Sequence, residues 1–274
     1  MPSGVSVVLA LVLGVAARGR LRSALRDRHH VQFIERVAEL EHVMTTTTGV
    51  IAAVLVEPRD IDGRSVSDAL TRMCATDSAP PIVGCCRAGV EHTADIRALV
   101  LAGVNELVFE GVDDAGYTLR AILESAQRAR VGERAASALK TIVPETLWPF
   151  IAQVTAYPDT QRVADLADAL GYHRKTLVNH CALAHAPPPQ ELIAWCRLAV
   201  AAELLQTTPR TIESIALGLD YPSDTSLRNM MKRYTGLTAS AVRDAGGVRV
   251  VVAALQTALR TLRRDVKSSS GHRG

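Results

Sequence analysis

Two groups of mostly polar side chains lie about fifty residues apart in the last third of the chain. Arg174, Lys175, Val178 and Asn179 form one, and Ser223, Asp224, Thr225, Arg228, Asn229 and Lys232 the other. Steps of three and four residues put each group on one face of a helix. Guanidinium, ammonium, amide and hydroxyl groups on an exposed face exchange hydrogen bonds and charge with a partner, and a groove of a polyanion is a natural one.

The surrounding residues position these faces. In the first copy Val163, Leu166, Ala167 and Leu170 recur at i, i+3, i+4 and i+7, the buried stripe of a helix. Gly171 follows, where a left-handed residue closes a helix end at low cost. A second helix is predicted over about Arg174–Ala182, with Leu177 and Cys181 turned inward. The second copy repeats this with Ile212, Ile215, Ala216 and Leu219, Asp220 at the turn, and a helix over about Ser223–Tyr234. There Leu227, Met230, Met231 and Tyr234 make the inward stripe, with short polar residues at the start and cations near the end, complementing the helix dipole. Gln190–Gln206 has no breaker and reads as one long helix holding the two copies at a fixed separation. A helix, a tight turn and a polar-faced second helix, present twice, is the signature of a DNA reader.

Across roughly Leu147–Arg243 these residues resemble the AraC/XylS-type transcriptional regulators. The resemblance is carried by "LADALGYHRKTL" at 166–177, "PQELIAWCRLAVAAELL" at 189–205, and "TIESIALGLDYPSDTSLRNMMKRYTGLTASAVR" at 211–243, whose "MKRYTGLTAS" is similar to that family's closing motif. It implies a seven-helix module with two recognition helices in successive major grooves, which recur on one face of the duplex every ~34 Å, about 10 bp. Because the readers differ, it also implies an asymmetric site for one protomer. The family's contact positions fall on Lys175, Val178 and Asn179, with Arg174 placed for phosphate, and on Asp224, Thr225, Arg228 and Asn229. Arg or Lys favours guanine edges, Asn adenine, Asp the amino group of cytosine, and Val or Thr the thymine methyl.

The chain departs from that pattern. Asn179 and Asn229 stand where arginine is common, and Asp224 sets a negative charge beside a polyanion. Asp220 replaces the second turn's glycine, Leu227 and Met231 replace aromatics, and Ala239 and Val242 replace a proline and a tyrosine. Aspartate tolerates left-handed backbone, so the turn is kept. A modest affinity is expected, with the second reader the weaker.

Net charge is +3 with histidines neutral, roughly +4 on the C-terminal half against about −1 on the N-terminal half. Each phosphate neutralised adds to nucleic-acid affinity. Part of the excess lies in "RTLRRDVKSSSGHRG", read as ending in a disordered tail behind an extra helix over Val248–Leu262.

The N-terminal half has another grammar. Val5–Val12, Val50–Val56, Pro81–Cys86 and Glu106–Phe109 read as buried strands, and Leu21–His29, Val66–Ala75, Thr93–Leu101 and Tyr117–Arg128 as helices. That alternation predicts an α/β domain with a doubly wound parallel sheet. With "PRDIDG" at 58–63 and "ALVLAGVNELVFEGVDD" at 98–114 it is similar to response-regulator receiver domains. The resemblance implies a carboxylate cluster for magnesium, a phosphoacceptor aspartate, a hydroxyl ending the fourth strand and a lysine after the fifth. Here the first strand carries no acid, and the third-strand position falls on Leu55 or Glu57. The fourth strand ends Gly84-Cys85-Cys86, and Phe109 stands for the lysine. A receiver-like domain without phosphoryl chemistry is therefore expected, acting by dimerisation or by binding a small-molecule or protein effector, with Asp60 and Asp62 capping a turn.

Five cysteines with no Cys-x-x-Cys pair suggest reduced thiols in the cytoplasm. Cys85-Cys86 reads as two small buried residues at a strand end. His29-His30, and His173, His180 and His185 near Cys181, lack zinc-site spacing. The apolar run at the start is too short to span a bilayer. No catalytic residue, metal or cofactor is expected. The predicted division is a receiver-like domain at 1–127, a helical linker at 128–144, the double helix-turn-helix domain at 145–244 and the extra helix with its tail at 245–274. The expected function is sequence-specific DNA-binding transcriptional regulation, with double-stranded DNA, a homodimer partner and an N-terminal effector as candidate partners. A phosphorylation-driven response regulator and an adaptor that has lost DNA affinity are the alternatives.

Overall fold

Apolar residues on both faces of the first strand, β1 (Ser6–Leu11), are what the centre of a helix-covered parallel sheet requires. The computed structural model describes residues 6–47, 50–76, 79–113, 116–159, 162–208 and 210–270, with side chains to 264. The chain divides into two units, Met1–Arg130 and Val131–Gly274.

In the first unit β1 is followed by α1 (Val15–Leu25), β2 (His29–Phe33), α2 (Val37–Thr46), β3 (Ile51–Val56), α3 (Ser67–Cys74), β4 (Ile82–Cys86), α4 (Thr93–Leu101), β5 (Glu106–Phe109) and α5 (Gly116–Lys140). The five strands are parallel in the order β2-β1-β3-β4-β5, the flavodoxin-like doubly wound order shared by receivers. Alternation along β1 feeds two cores. Val8, Ala10 and Val12 pack with Leu21 and Leu25 of α1 and Leu119 and Leu123 of α5. Leu9 and Leu11 pack on the other face with Leu40, Leu70 and Leu99 of α2, α3 and α4.

Sequence reading missed one strand, β2, and one helix, α2, and misplaced another helix. β2 is an edge strand, half-buried through most of its length, and its "HHVQF" lacks an apolar run; Ser6 and His29 share a 2.7 Å hydrogen bond across the β1–β2 pair. The helix expected at Leu21–His29 is α1, and His29 belongs to β2. Arginines disguise the start of α1. Arg18 donates to the Val12 carbonyl at 2.6 Å and pairs with Glu35 at 3.2 Å, while the guanidinium groups of Arg18 and Arg22 lie over the Phe33 ring, cations covering an aromatic face.

The second unit is helical. It takes the last turns of α5 and continues through α6 (Trp148–Ala156), α7 (Val163–Ala169), α8 (Arg174–Leu183), α9 (Pro189–Thr207), α10 (Ile212–Gly218), α11 (Asp224–Thr235), α12 (Ala239–Asp244) and α13 (Val248–Ser270). The stretch read as a linker is core: Val131, Ala135, Ala136, Leu139 and Val143 are buried with Phe150, Ile151 and Val154. A Cβ at Gly132 would lie 2.6 Å from the Thr155 carbonyl oxygen, so glycine there is what lets α5 and α6 approach so closely. Arg134 and Glu203 pair within this core at 3.1 Å, 15% and 6% exposed.

α9 is the unit's axis, buried along nearly its whole length and in contact with α6, α8, α10, α11, α12 and α13. α13 lays Val248, Val251, Leu255 and Leu259 into the same core. The tail expected to be disordered is helical through Ser270, because the apolar stripe anchors the helix that continues into it; residues 271–274 lie outside the described residues. Among the described residues no helix is long and apolar enough to cross a membrane.

Candidate nucleic-acid interface

The two helix-turn-helix copies are built by matching hydrogen bonds. In the first, Leu170 N–H donates to Leu166 O, Gly171 to Asp168 O and Tyr172 to Ala167 O; in the second, Leu219 donates to Ile215 O, Asp220 to Leu217 O and Tyr221 to Ala216 O. Each turn needs one left-handed residue, Gly171 at φ +65° and Asp220 at φ +54°, and aspartate is among the few side chains that adopt that backbone readily. The second turn is one residue longer, Pro222 being the addition.

Each recognition helix starts on a cap. His173 accepts from Lys175 N–H at 3.3 Å at the head of α8, and Ser223 Oγ accepts from Ser226 N–H at 3.1 Å at the head of α11. Leu177 and Cys181 bury one side of α8 and Leu227 and Met231 one side of α11, as the spacing predicts; Met230 and Tyr234 are half-buried.

The opposite faces are open. Arg174, Lys175, Val178 and Asn179 on α8 are exposed, as are Ser223, Thr225, Arg228, Asn229 and Lys232 at and along α11. Asp224 is half-exposed and accepts from Arg228 Nε at 3.2 Å, one turn away. The Arg228 side chain holds the Asp224 carboxyl below its ordinary carboxylate range. That bond pairs the Asp224 charge with a cation one turn away and holds the Arg228 side chain at its Nε.

Arg197, on α9, was not legible as a positioning residue. Its Nε donates to Pro158 O at 2.7 Å, just before the first copy, and its Nη2 to Leu219 O at 2.6 Å, in the second copy's turn. It also covers the Tyr221 ring at 4.4 Å. One charged side chain thereby ties the backbone ahead of the first copy and the turn of the second copy to the axial helix, through carbonyls that no motif marks. Hydrogen bonds from a charged donor are among the stronger ones.

β1 leads into Val12-Leu13-Gly14, β4 ends at Cys86, and the acids directly after strands are Glu57 behind β3 and Glu110 behind β5, the latter held by Arg20 and Arg87. A magnesium ion needs several oxygen ligands, and this set does not fit one; among the described residues no three His, Cys, Asp or Glu side chains group to hold a metal. Asp60 is buried and accepts from the N–H groups of Val37, Asp62 and Arg64 at 3.2, 3.0 and 2.9 Å, a structural carboxylate that shapes its loop. Burial raises the Cys86 thiol to about 11 and the Cys85 thiol further still, so neither is a reactive thiolate at neutral pH.

No curated protein sequence matches the chain significantly. Among solved structures it is similar to the receiver domain of a sensor histidine kinase from Pseudomonas aeruginosa, at 14% identity and TM-score 0.38 over 44% of this chain and 96% of that one. It is also similar to full-length FixJ from B. japonicum, at 13% identity and TM-score 0.36 over 86% and 100%. RcsB from Salmonella enterica serovar Typhimurium bound to promoter rprA shows 11% identity and TM-score 0.35 over 83% and 99%. The receiver topology of the first unit rests on its own strand order. Residues 166–245 match the family model of a helix-turn-helix domain, a span running from Leu166 in the first supporting helix to just beyond α12. Residues 166–245 of the second unit thus form an AraC-type helix-turn-helix domain, in a chain whose first unit is a five-stranded parallel sheet of the doubly wound order β2-β1-β3-β4-β5.

Proposed function

We propose that the protein is a cytoplasmic, sequence-specific transcriptional regulator of the AraC/XylS type, reading an asymmetric site with α8 and α11. Its first unit serves dimerisation or the binding of a signal or partner, with no phosphoryl chemistry. The observation that carries this is the pair of capped, exposed and unlike recognition faces set on one buried axial helix, with Arg197 tying the segment before the first copy and the turn of the second to that helix. Lys175, Val178 and Asn179 in one face and Thr225, Arg228 and Asn229 in the other supply the base-edge groups, Asp224 aims Arg228, and Arg174, Ser223 and Lys232 lie towards the phosphates.

Selecting bound fragments from a random DNA pool is expected to return one asymmetric motif. Lys175→Ala and Arg228→Ala should each weaken binding by about 1–3 kcal/mol, roughly 5- to 150-fold. Where the lost side chain reads a base, preference disappears at that position alone; where it holds a phosphate, all sequences weaken together and the salt slope falls by about one. A pool that yields no motif, or retention that ignores salt, would overturn the proposal and favour the adaptor reading.

The receiver topology also supports a phosphorylation-driven regulator, and the strand-end residues separate the two. Incubation with acetyl phosphate and magnesium should leave the protein's mass unchanged, since the metal ligands and the lysine that neutralise a transferring phosphoryl group are replaced by Leu13, Gly14 and Phe109. A gain of one phosphoryl mass would transfer the function to that reading.

A further inference from the structure

Four of the five strands of the first unit end around one cavity of about 530 Å³, which reaches from the ends of β1, β3, β4 and β5 to α1. Its position is where doubly wound sheets place ligands, outside the carboxyl ends of the strands and at the point where strand order reverses, here beside β1. Its size falls in the ~300–1,000 Å³ range of small-molecule sites. Val12, Ala17, Leu21, Cys85 and Val108 give it an apolar wall.

The charged groups are unequal. Arg20 and Arg87 both reach Glu110, at 3.1 and 2.9 Å, and Arg59 reaches Asp95 at 3.0 Å. Each of these guanidinium groups already faces a carboxylate, so an incoming anion would have to displace one. Glu57 is different. It lines the same cavity, is half-buried, and among the described residues no cation lies within ion-pair distance of it, Arg87 acting on it only from further off. Burial pushes its carboxyl up, against the backbone N–H groups of Leu13 and Gly14. A carboxylate held short of water beside an apolar wall lacks one thing, a positive partner.

We propose that this cavity binds a small amphipathic cation, an aryl or alkyl body carrying one ammonium or amidinium group, with the cation on Glu57 and the body against Ala17, Leu21 and Val108. As the signal site of the regulator it rests on the regulatory reading above, and occupancy and DNA binding are measured apart.

The test uses 2-phenylethylamine as probe, with 2-phenylethanol and 3-phenylpropionate as neutral and anionic matches, titrated against the full chain by ligand-observed saturation-transfer NMR. The amine is expected to bind at least tenfold tighter than either match. Glu57→Gln, which keeps the shape and removes the charge, should abolish that preference. Ala17→Leu, which fills the cavity without altering a charge, should weaken the amine severalfold, and it keeps the proposal open to refutation if Glu57→Gln does not fold. Equal affinity for amine and alcohol, tighter binding of the propionate, or a preference that survives Glu57→Gln would overturn it. Amine binding beside absent DNA retardation would sink the regulatory reading alone.

Discussion

Arg134→Ala should lower the stability of the second unit by about 3–5 kcal/mol, the cost of leaving one member of a buried ion pair behind. Glu203 lies on α9 at 6% exposure, and Arg134 Nη1 stands 3.1 Å from its Oε1. Urea unfolding followed by tryptophan fluorescence measures this cleanly, because the two tryptophans, Trp148 and Trp195, both lie in the second unit. Replacing both partners, Arg134→Met with Glu203→Leu, should recover most of the loss, since buried pairs often exchange for apolar residues at little cost. A loss below about 1 kcal/mol, the range of a surface bridge, would mean that the pair is solvated. The effect bears on function as well as stability, because Glu203 sits on the helix that holds both readers.

The second large effect concerns the DNA. An insertion of about 5 bp between the two halves of the selected site turns one half to the opposite side of the duplex. The protein should then engage only one half at a time and lose at least about 100-fold in affinity, the gain that joining two binding elements provides. The 19 residues of α9 make a rod of about 28 Å, packed against helices of both copies and tied by Arg197 to the second copy's turn. A rigid spacer should therefore fail equally with about 10 bp inserted, which restores the face but not the distance. Gel retardation of the three fragments checks this. Recovery with the longer insertion would reveal a flexible tether in place of the rod.

How much of this was legible in the sequence depended on how far apart the cooperating residues lie. The readers were legible because cap, turn and buried stripe all fall within about twenty residues, and Leu166, Leu177, Ile215 and Leu227 are buried where their spacing puts them. The alternation of strands and helices gave the doubly wound sheet, but β2 escaped, since an edge strand need not be apolar. Arg197 escaped because its partners are backbone carbonyls before one copy and within the other. The role of α5 in the second core was hidden by Glu133, Arg134 and Lys140 standing among Val131, Ala135 and Leu139. The cavity around Glu57 has no local motif, because four strand ends contribute to it and meet only once the sheet has formed.

The difference between the outer faces of α8 and α11 has a further consequence. A pair of identical readers related by a twofold axis would sit on its site equally well either way round. Under the proposed function, one chain with Lys175 and Asn179 at one end and Asp224 and Arg228 at the other has a head and a tail, and the stretch of duplex it prefers would acquire a compass bearing. A gene to the left of such a stretch is then physically distinguishable from a gene to the right.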